Sequence, residues 1–153
     1  MQISNPLTVT IPALNKELGK EVAAYIDTLT KPIGSLGRLE QIAIQLAEIT
    51  GEKFPVVTPP AAIVFAADHG VTDEGVSAYP KEVTAQMVYN FLSNGAAMNV
   101  FCEQIDALFA IVDVGVAEKI EHENLISRKI RRGTRSFYRE DAMTEEEVLR
   151  ALT

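Results

Sequence analysis

Residues 61–70 read Ala-Ala-Ile-Val-Phe-Ala-Ala-Asp-His-Gly, and this stretch decides the fold. Ala61 to Ala67 is an unbroken apolar run, the pattern of a strand covered on both faces in a parallel sheet rather than one with a wet side. Leu108 to Val114 repeats the texture and ends in Asp113-Val114-Gly115. Between the two, Pro80 suits the first turn of a helix that carries Val83, Met87, Phe91 and Leu92 on one face. Strand, helix and strand in that order make a βαβ unit with a right-handed crossover.

Working outward, residues 52–60 (EKFPVVTPP) hold three prolines and read as an extended linker. Upstream, Leu14, Leu18, Val22, Tyr25, Ile26 and Leu29 recur at helical spacing until Lys31-Pro32 ends the run. The loop Lys31 to Arg38 follows, with Ser35 as the expected cap of a second helix. Its apolar face is Leu36, Leu39, Ile42, Ala43, Leu46 and Ile49, and Gly51 sits where a helix end favours a left-handed residue. Downstream, Ile126, Ile130 and Phe137 punctuate a candidate short third strand. Thr144 with Glu147 three residues later is a capping-box pattern, predicting a helix from about Thr144 to the end.

Composition narrows the function classes. With 47% hydrophobic and 23% charged residues in 153, the chain can bury a core as a globular protein. A net charge of -7 disfavours nucleic acid and membrane surfaces as partners. No apolar run reaches the roughly 18 residues of a membrane span. The first twenty residues lack the basic and apolar regions of a secretory signal. One cysteine, Cys102, and two distant histidines, His69 and His122, make neither a disulfide nor a good zinc set. A reducing cytoplasm fits all of this, and no metal or cofactor is expected.

Ligands of open parallel sheets bind beyond the carboxyl ends of the strands, which directs attention to Asp68–Pro80. This loop packs three acids, a histidine, two hydroxyls and a phenol into 13 residues. An aromatic ligand with ring nitrogens would suit it, Tyr79 stacking and Ser77 or a carboxylate hydrogen bonding. An ordinary polar loop with helix caps is the competing reading. Asp68 and His69 are neighbours on a strand and point to opposite faces, so His69 reads as a hydrogen-bonded structural residue more readily than a metal ligand. Asp73 and Glu74 read as a solvated turn. The glycine loop at Gly34–Arg38 lacks Walker spacing and follows a helix, which favours a helix–helix turn over a phosphate cradle. Residues 127–139 hold six of the 14 Lys and Arg residues and no acid. A solvated or interface-facing strand is the favoured reading there; a phosphate site, an acidic partner or a single-stranded nucleic acid are the others.

Taken together, KPIGSLGRLEQIAIQLAEITG (31–51), VFAADHGVTDEGVSAYPKEVTAQMV (64–88), NGAAMNVF (94–101), IVDVGV (111–116), RRGTRSF (131–137) and DAMT (141–144) resemble the N-terminal half of the nicotinate-nucleotide:dimethylbenzimidazole phosphoribosyltransferase family. GSLGRLE and ADHGV with DEGVSAYP are specific when they occur together. The resemblance implies an α/β fold: a partial Rossmann-like parallel sheet of two or three strands with flanking helices, preceded by an N-terminal helical segment. Residues 1–52 would belong to a small helical domain and 53–153 to the first part of the α/β domain. It also implies transfer of phosphoribose from nicotinate mononucleotide to 5,6-dimethylbenzimidazole, in the synthesis of the cobalamin lower ligand. Family members resemble one another in being homodimers whose partner's small domain helps close the site. The family's base pocket maps onto Ser77, Tyr79 and Pro80 and onto Gln86 and Met87. With the strand-end residues Asp68 and His69, these form the candidate substrate-binding set. The family's catalytic glutamate and glycine-rich phosphate loops lie in its second half, so no catalytic residue is assigned here. The chain is therefore expected to be inactive alone, to self-associate or pair with a C-terminal partner fragment, and to bind the base weakly. The alternative is a non-catalytic module, for aromatic-base binding or assembly, derived from that enzyme.

Overall fold

A computed structural model describes residues 10–152. Residues 1–9, part of the stretch read above for a signal sequence, and Thr153 lie outside the described residues. The chain divides into two compact units at Thr58/Pro59, within the proline-rich stretch.

The first unit is a pair of helices, α1 (Lys16–Asp27) and α2 (Arg38–Thr50). Asn15 caps α1, its side chain accepting from Leu18 N at 3.1 Å. The helices meet along a narrow seam of Val22, Ile26 and Ala47, backed by Leu18 and Ile44. Lys16 Nζ reaches Glu48 at 2.6 Å across the pair. Ser35 does not cap α2. Gly37 precedes the helix instead, at φ 55° and ψ −119°, a conformation only glycine takes up easily. The turn before it is tied by Lys31 Nζ, 2.8 Å from Glu40, whose carboxylate also accepts from Leu36 N at 3.1 Å. Hydrogen bonding to Lys31 holds the Glu40 carboxyl below its ordinary pKa. The predicted α2 face is mostly not the buried one: Leu39 is 65% exposed, and Leu36, Ile42 and Ile49 are exposed too. Two helices give each other one seam, and α1 covers only Ile44 and Ala47.

The second unit holds β1 (Ala61–Ala67), α3 (Glu82–Leu92), α4 (Ala97–Gln104), β2 (Leu108–Gly115), β3 (Leu125–Ser127) and α5 (Glu145–Leu152), with a 3-10 turn at Gly70–Glu74. The strands form one parallel sheet in the order β1-β2-β3. Ala61 pairs with Leu108, and the register slips between Ala66 and Ala67, so that Ala67 faces Gly115. β2 is central, and Ile111, Val112 and Asp113 are buried in it. Ala85 and Val88 of α3 pack on Ile111, Val116 and Ile120, while Phe91 stacks on Phe109 at 5.7 Å.

β1 departs from expectation. Val64 and Ala66 pack on the core, but Ile63 and Phe65 are 57% and 66% exposed. β1 lies at the edge of the sheet, and among the described residues no element covers its second face. The third strand contains Ile126 but stops at Ser127, so Ile130 and Phe137 lie beyond it. α4 had no counterpart in the sequence reading. Asn99 sets its start, accepting from Ala96 N at 3.2 Å and donating to Phe91 O at 3.1 Å. The capping box at α5 is formed as predicted: Glu147 accepts from Thr144 N at 2.7 Å, and Thr144 Oγ1 from Glu147 N at 3.2 Å. No helix among the described residues is long and apolar enough to cross a membrane.

Candidate functional site

The carboxyl end of β1 opens into a cleft of about 350 Å³ between that strand, the loop after it and α3. This is at the lower end of the volumes that small-molecule sites occupy, roughly 300–1,000 Å³. Six of the seven predicted residues line it: Asp68, His69, Ser77, Tyr79, Pro80 and Met87. Gln86 does not. One face of α3, carrying Val83, Thr84, Met87 and Val88, walls the cleft, and Gln86 sits about 100° around the helix from Met87. Phe65, Ala66, Ala67, Thr72, Lys81 and Phe91 complete the lining without having been singled out as site residues. Phe65 could be found only once the second face of β1 proved to be uncovered, because a strand covered on both faces would have hidden it.

Asp68 is 4% exposed and serves the framework. Its backbone N–H donates to Gly115 O at 3.0 Å, and Oδ2 accepts from Ala117 N at 2.7 Å. It thus ties the end of β1 to the turn after β2. Asp113 does the same work within that turn, accepting from Gly115 N and Val116 N and pairing with Lys129 at 3.0 Å. His69 is exposed, and its hydrogen bonds come from its carbonyl, which accepts from Thr72 N and Thr72 Oγ1. Its ring is therefore not the structural hydrogen-bonding group the sequence suggested.

The far wall is a tight local turn. Ser77 Oγ donates to Tyr79 O at 2.9 Å and accepts from Tyr79 N at 3.2 Å. A hydroxyl has one proton and two lone pairs, so Ser77 retains one acceptor position. The Tyr79 side chain is turned outward at 70% exposure, its ring free to stack. Lys81 Nζ pairs with Asp73 at 2.7 Å, closing the loop onto the start of α3.

The basic segment is not a solvated strand. Lys129 pairs with Asp113, Arg131 and Arg135 with Glu147, and Arg139 with Glu74. Four of its six cations are thus engaged within the unit, which leaves less charge for a phosphate or a nucleic acid than the sequence suggested. The Glu147 carboxyl is held below its ordinary pKa, first by the Thr144 N–H and then by the two arginines. Glu74 is lowered chiefly by its bond to Arg139. Among the described residues, no group of three His, Cys, Asp or Glu is arranged to hold a metal ion.

A phosphoribosyltransferase family model matches residues 11–153. The chain belongs to the nicotinate-nucleotide–dimethylbenzimidazole phosphoribosyltransferase family. The enzyme of that name from Cupriavidus taiwanensis is 52% identical over 144 residues, 94% of this chain and 42% of its own length. Its counterpart in Geobacter sulfurreducens is 48% identical over 153 residues, covering 95% of this chain and 44% of the relative. The crystal structure of the Thermus thermophilus enzyme superposes with a TM-score of 0.85 at 47% identity, over 89% of this chain and 42% of the other. The open parallel α/β sheet is thus the family's fold, present in part. The chain spans about two-fifths of the length of these relatives.

Proposed function

We propose that this chain supplies the base-binding portion of a nicotinate-nucleotide–dimethylbenzimidazole phosphoribosyltransferase in cobalamin lower-ligand synthesis, and that it does not turn over alone. One observation carries the reading: Ser77, Tyr79, Pro80 and Met87 converge with Asp68 and His69 on one cleft at the carboxyl end of β1. A flat bicyclic base has the right chemistry for it. Tyr79 offers a ring face, Met87, Val88 and Phe91 an apolar wall, and Ser77 one acceptor for a ring N–H. In the transfer, a ring nitrogen of the benzimidazole forms the bond to C1′ of phosphoribose as the bond to nicotinate breaks. The proton on the other ring nitrogen must then leave. No group described in the cleft is assigned to take it, and no arginine lines the cleft to hold the phosphate. Those tasks fall to residues outside the matched two-fifths. Base catalysis typically contributes about 10²–10⁴-fold, so transfer without such a group would be slowed by about that factor.

On this reading residues 1–52 belong to a small helical domain and 53–153 open the α/β domain. Its partner is a second copy or a C-terminal fragment, and the lone cysteine fits a cytoplasmic setting. The free edge of β1, with Ile63 and Phe65 uncovered, offers backbone donors and acceptors to another strand. The uncovered apolar face of α2 supports self-association. That same free edge also favours a second reading, a non-catalytic base-binding or assembly module. Titration with 5,6-dimethylbenzimidazole followed by NMR tests the site. Shifts should concentrate in residues 68–88; shifts confined to 128–139 would refute the assignment. Product formation from nicotinate mononucleotide and the base by the rigorously purified chain would overturn the claim of inactivity.

A further inference from the structure

We propose that Arg139 is a positioning residue for the base-binding loop, the outer latch of a brace formed by residues 133–139. The inference rests on the cleft being the base site, and it gives the basic segment a role that the reaction itself does not. Three contacts join the brace to the loop. At the inner end Thr134 N donates to Asp68 O at 2.9 Å, continuing the strand pairing past β1. One step along, Gly70 N donates to Thr134 Oγ1 at 3.2 Å, and the Gly70 α-carbon lies flat on the 134–136 backbone. At the outer end the Arg139 guanidinium grips Glu74 with two bonds, Nε to Oε1 at 2.7 Å and Nη2 to Oε2 at 2.9 Å.

The loop is thereby held on two sides. Glu74 is tied to Arg139, and its neighbour Asp73 to Lys81, which lines the cleft. The 3-10 turn between these anchors and His69 sets where Thr72 stands, and the chain leaving it sets Ser77 and Tyr79. Beyond Gly75, from Val76 to Pro80, every residue is exposed, so packing alone does little to fix that part of the loop. Two parallel N–H···O bonds define an orientation that a single ammonium contact would not. The latch lies 65 residues from its partner in sequence, so it pins the turn to a distant element.

The test uses the full chain in Arg139→Ala, Arg139→Lys and the exchanged pair Glu74→Arg/Arg139→Glu. It measures dimethylbenzimidazole affinity, amide hydrogen exchange across residues 70–80 without ligand, and melting temperature. An exposed pair of this kind corresponds to roughly 2- to 5-fold in an equilibrium. Arg139→Ala should weaken base binding by about that factor and speed exchange in 70–80 alone, with the β2 amides unchanged. Arg139→Lys should recover part of the loss and the exchanged pair most of it. High salt, which also screens the Lys81–Asp73 pair that both share, should narrow the gap between the wild type and Arg139→Ala. Unchanged exchange in 70–80, faster exchange throughout the unit, or no recovery in the exchanged pair would each overturn the proposal. If the wild type binds no base, the base-site reading fails, while the exchange measurement still decides whether the latch exists.

Discussion

Gly70→Ala is the sharpest perturbation available, because the cost is one of space. A Cβ built on Gly70 would stand 2.5 Å from Arg135 C and from Ser136 N, and 2.6 Å from Thr134 O. That is about 0.9 Å short of the 3.4 Å at which ordinary contact begins. All three are backbone atoms, so no side-chain rotation relieves the overlap. The residue is not among those at positive φ, so alanine suits the local backbone and strain of that kind does not enter. Overpacking of a fixed interior typically costs about 1–3 kcal/mol. Moving the two segments apart also stretches Thr134 N to Asp68 O and Gly70 N to Thr134 Oγ1, each contributing roughly 1 kcal/mol. The sum, roughly 3–5 kcal/mol, is a large fraction of the ~5–15 kcal/mol that holds a domain together. Urea unfolding followed by circular dichroism reads it directly. With a slope of roughly 2 kcal/mol/M, the midpoint should fall by about 1.5–2.5 M. Base affinity should fall with it, because the displaced turn carries Thr72 and leads into Ser77. A variant within about 0.5 kcal/mol of wild type and with unchanged affinity would refute the close approach and the brace together.

Tyr79→Ala should weaken dimethylbenzimidazole binding about 5- to 10-fold through loss of the stacking face, whereas Arg132→Ala, outside the cleft, should leave the isotherm unchanged. Ile111→Ala empties the centre of the sheet's core, where Ile111 is 2% exposed, and should destabilise by about 2–5 kcal/mol in the same urea assay. The Glu147 carboxyl sits below its ordinary value of 4.5, so its contribution is present above that value and is lost as pH falls through the lowered one. Amide exchange in α5 should accordingly rise below pH 4.5, and Thr144→Ala, which removes the reciprocal cap at a cost of about 1 kcal/mol, should raise it at neutral pH. Sedimentation at high protein concentration should show dimers or larger species, and a clean monomer would remove the partner assigned to the β1 edge and the α2 face.

What could be read from the sequence, and what could not, separates along the distance over which each feature is determined. The two long strands were legible because their runs of consecutive apolar residues leave few alternatives. The capping box of α5 was legible because both partners lie within four residues. That Asp68, Ser77 and Tyr79 would line one cleft was legible because topology directs ligands to the end of a parallel strand. Met87 and Gln86 were both carried over from family resemblance, and the phase of α3 puts Met87 on the cleft and turns Gln86 away from it. α4 escaped because its eight residues follow an alanine, Ala96, whose N–H is taken by Asn99 from inside the helix, with no capping hydroxyl before it. The basic segment escaped for a deeper reason. Residues 127–139 read locally hold no acid and so look solvated, yet Asp113, Glu147 and Glu74 reach them from 16, 16 and 65 positions away. Charge pairing carries no periodicity that a linear reading can detect, unlike the burial that marks strands and helices. The contacts that shape the candidate site most closely are therefore the ones a sequence shows least. They are also the ones to break first when asking whether the loop, and not merely its residues, binds the base.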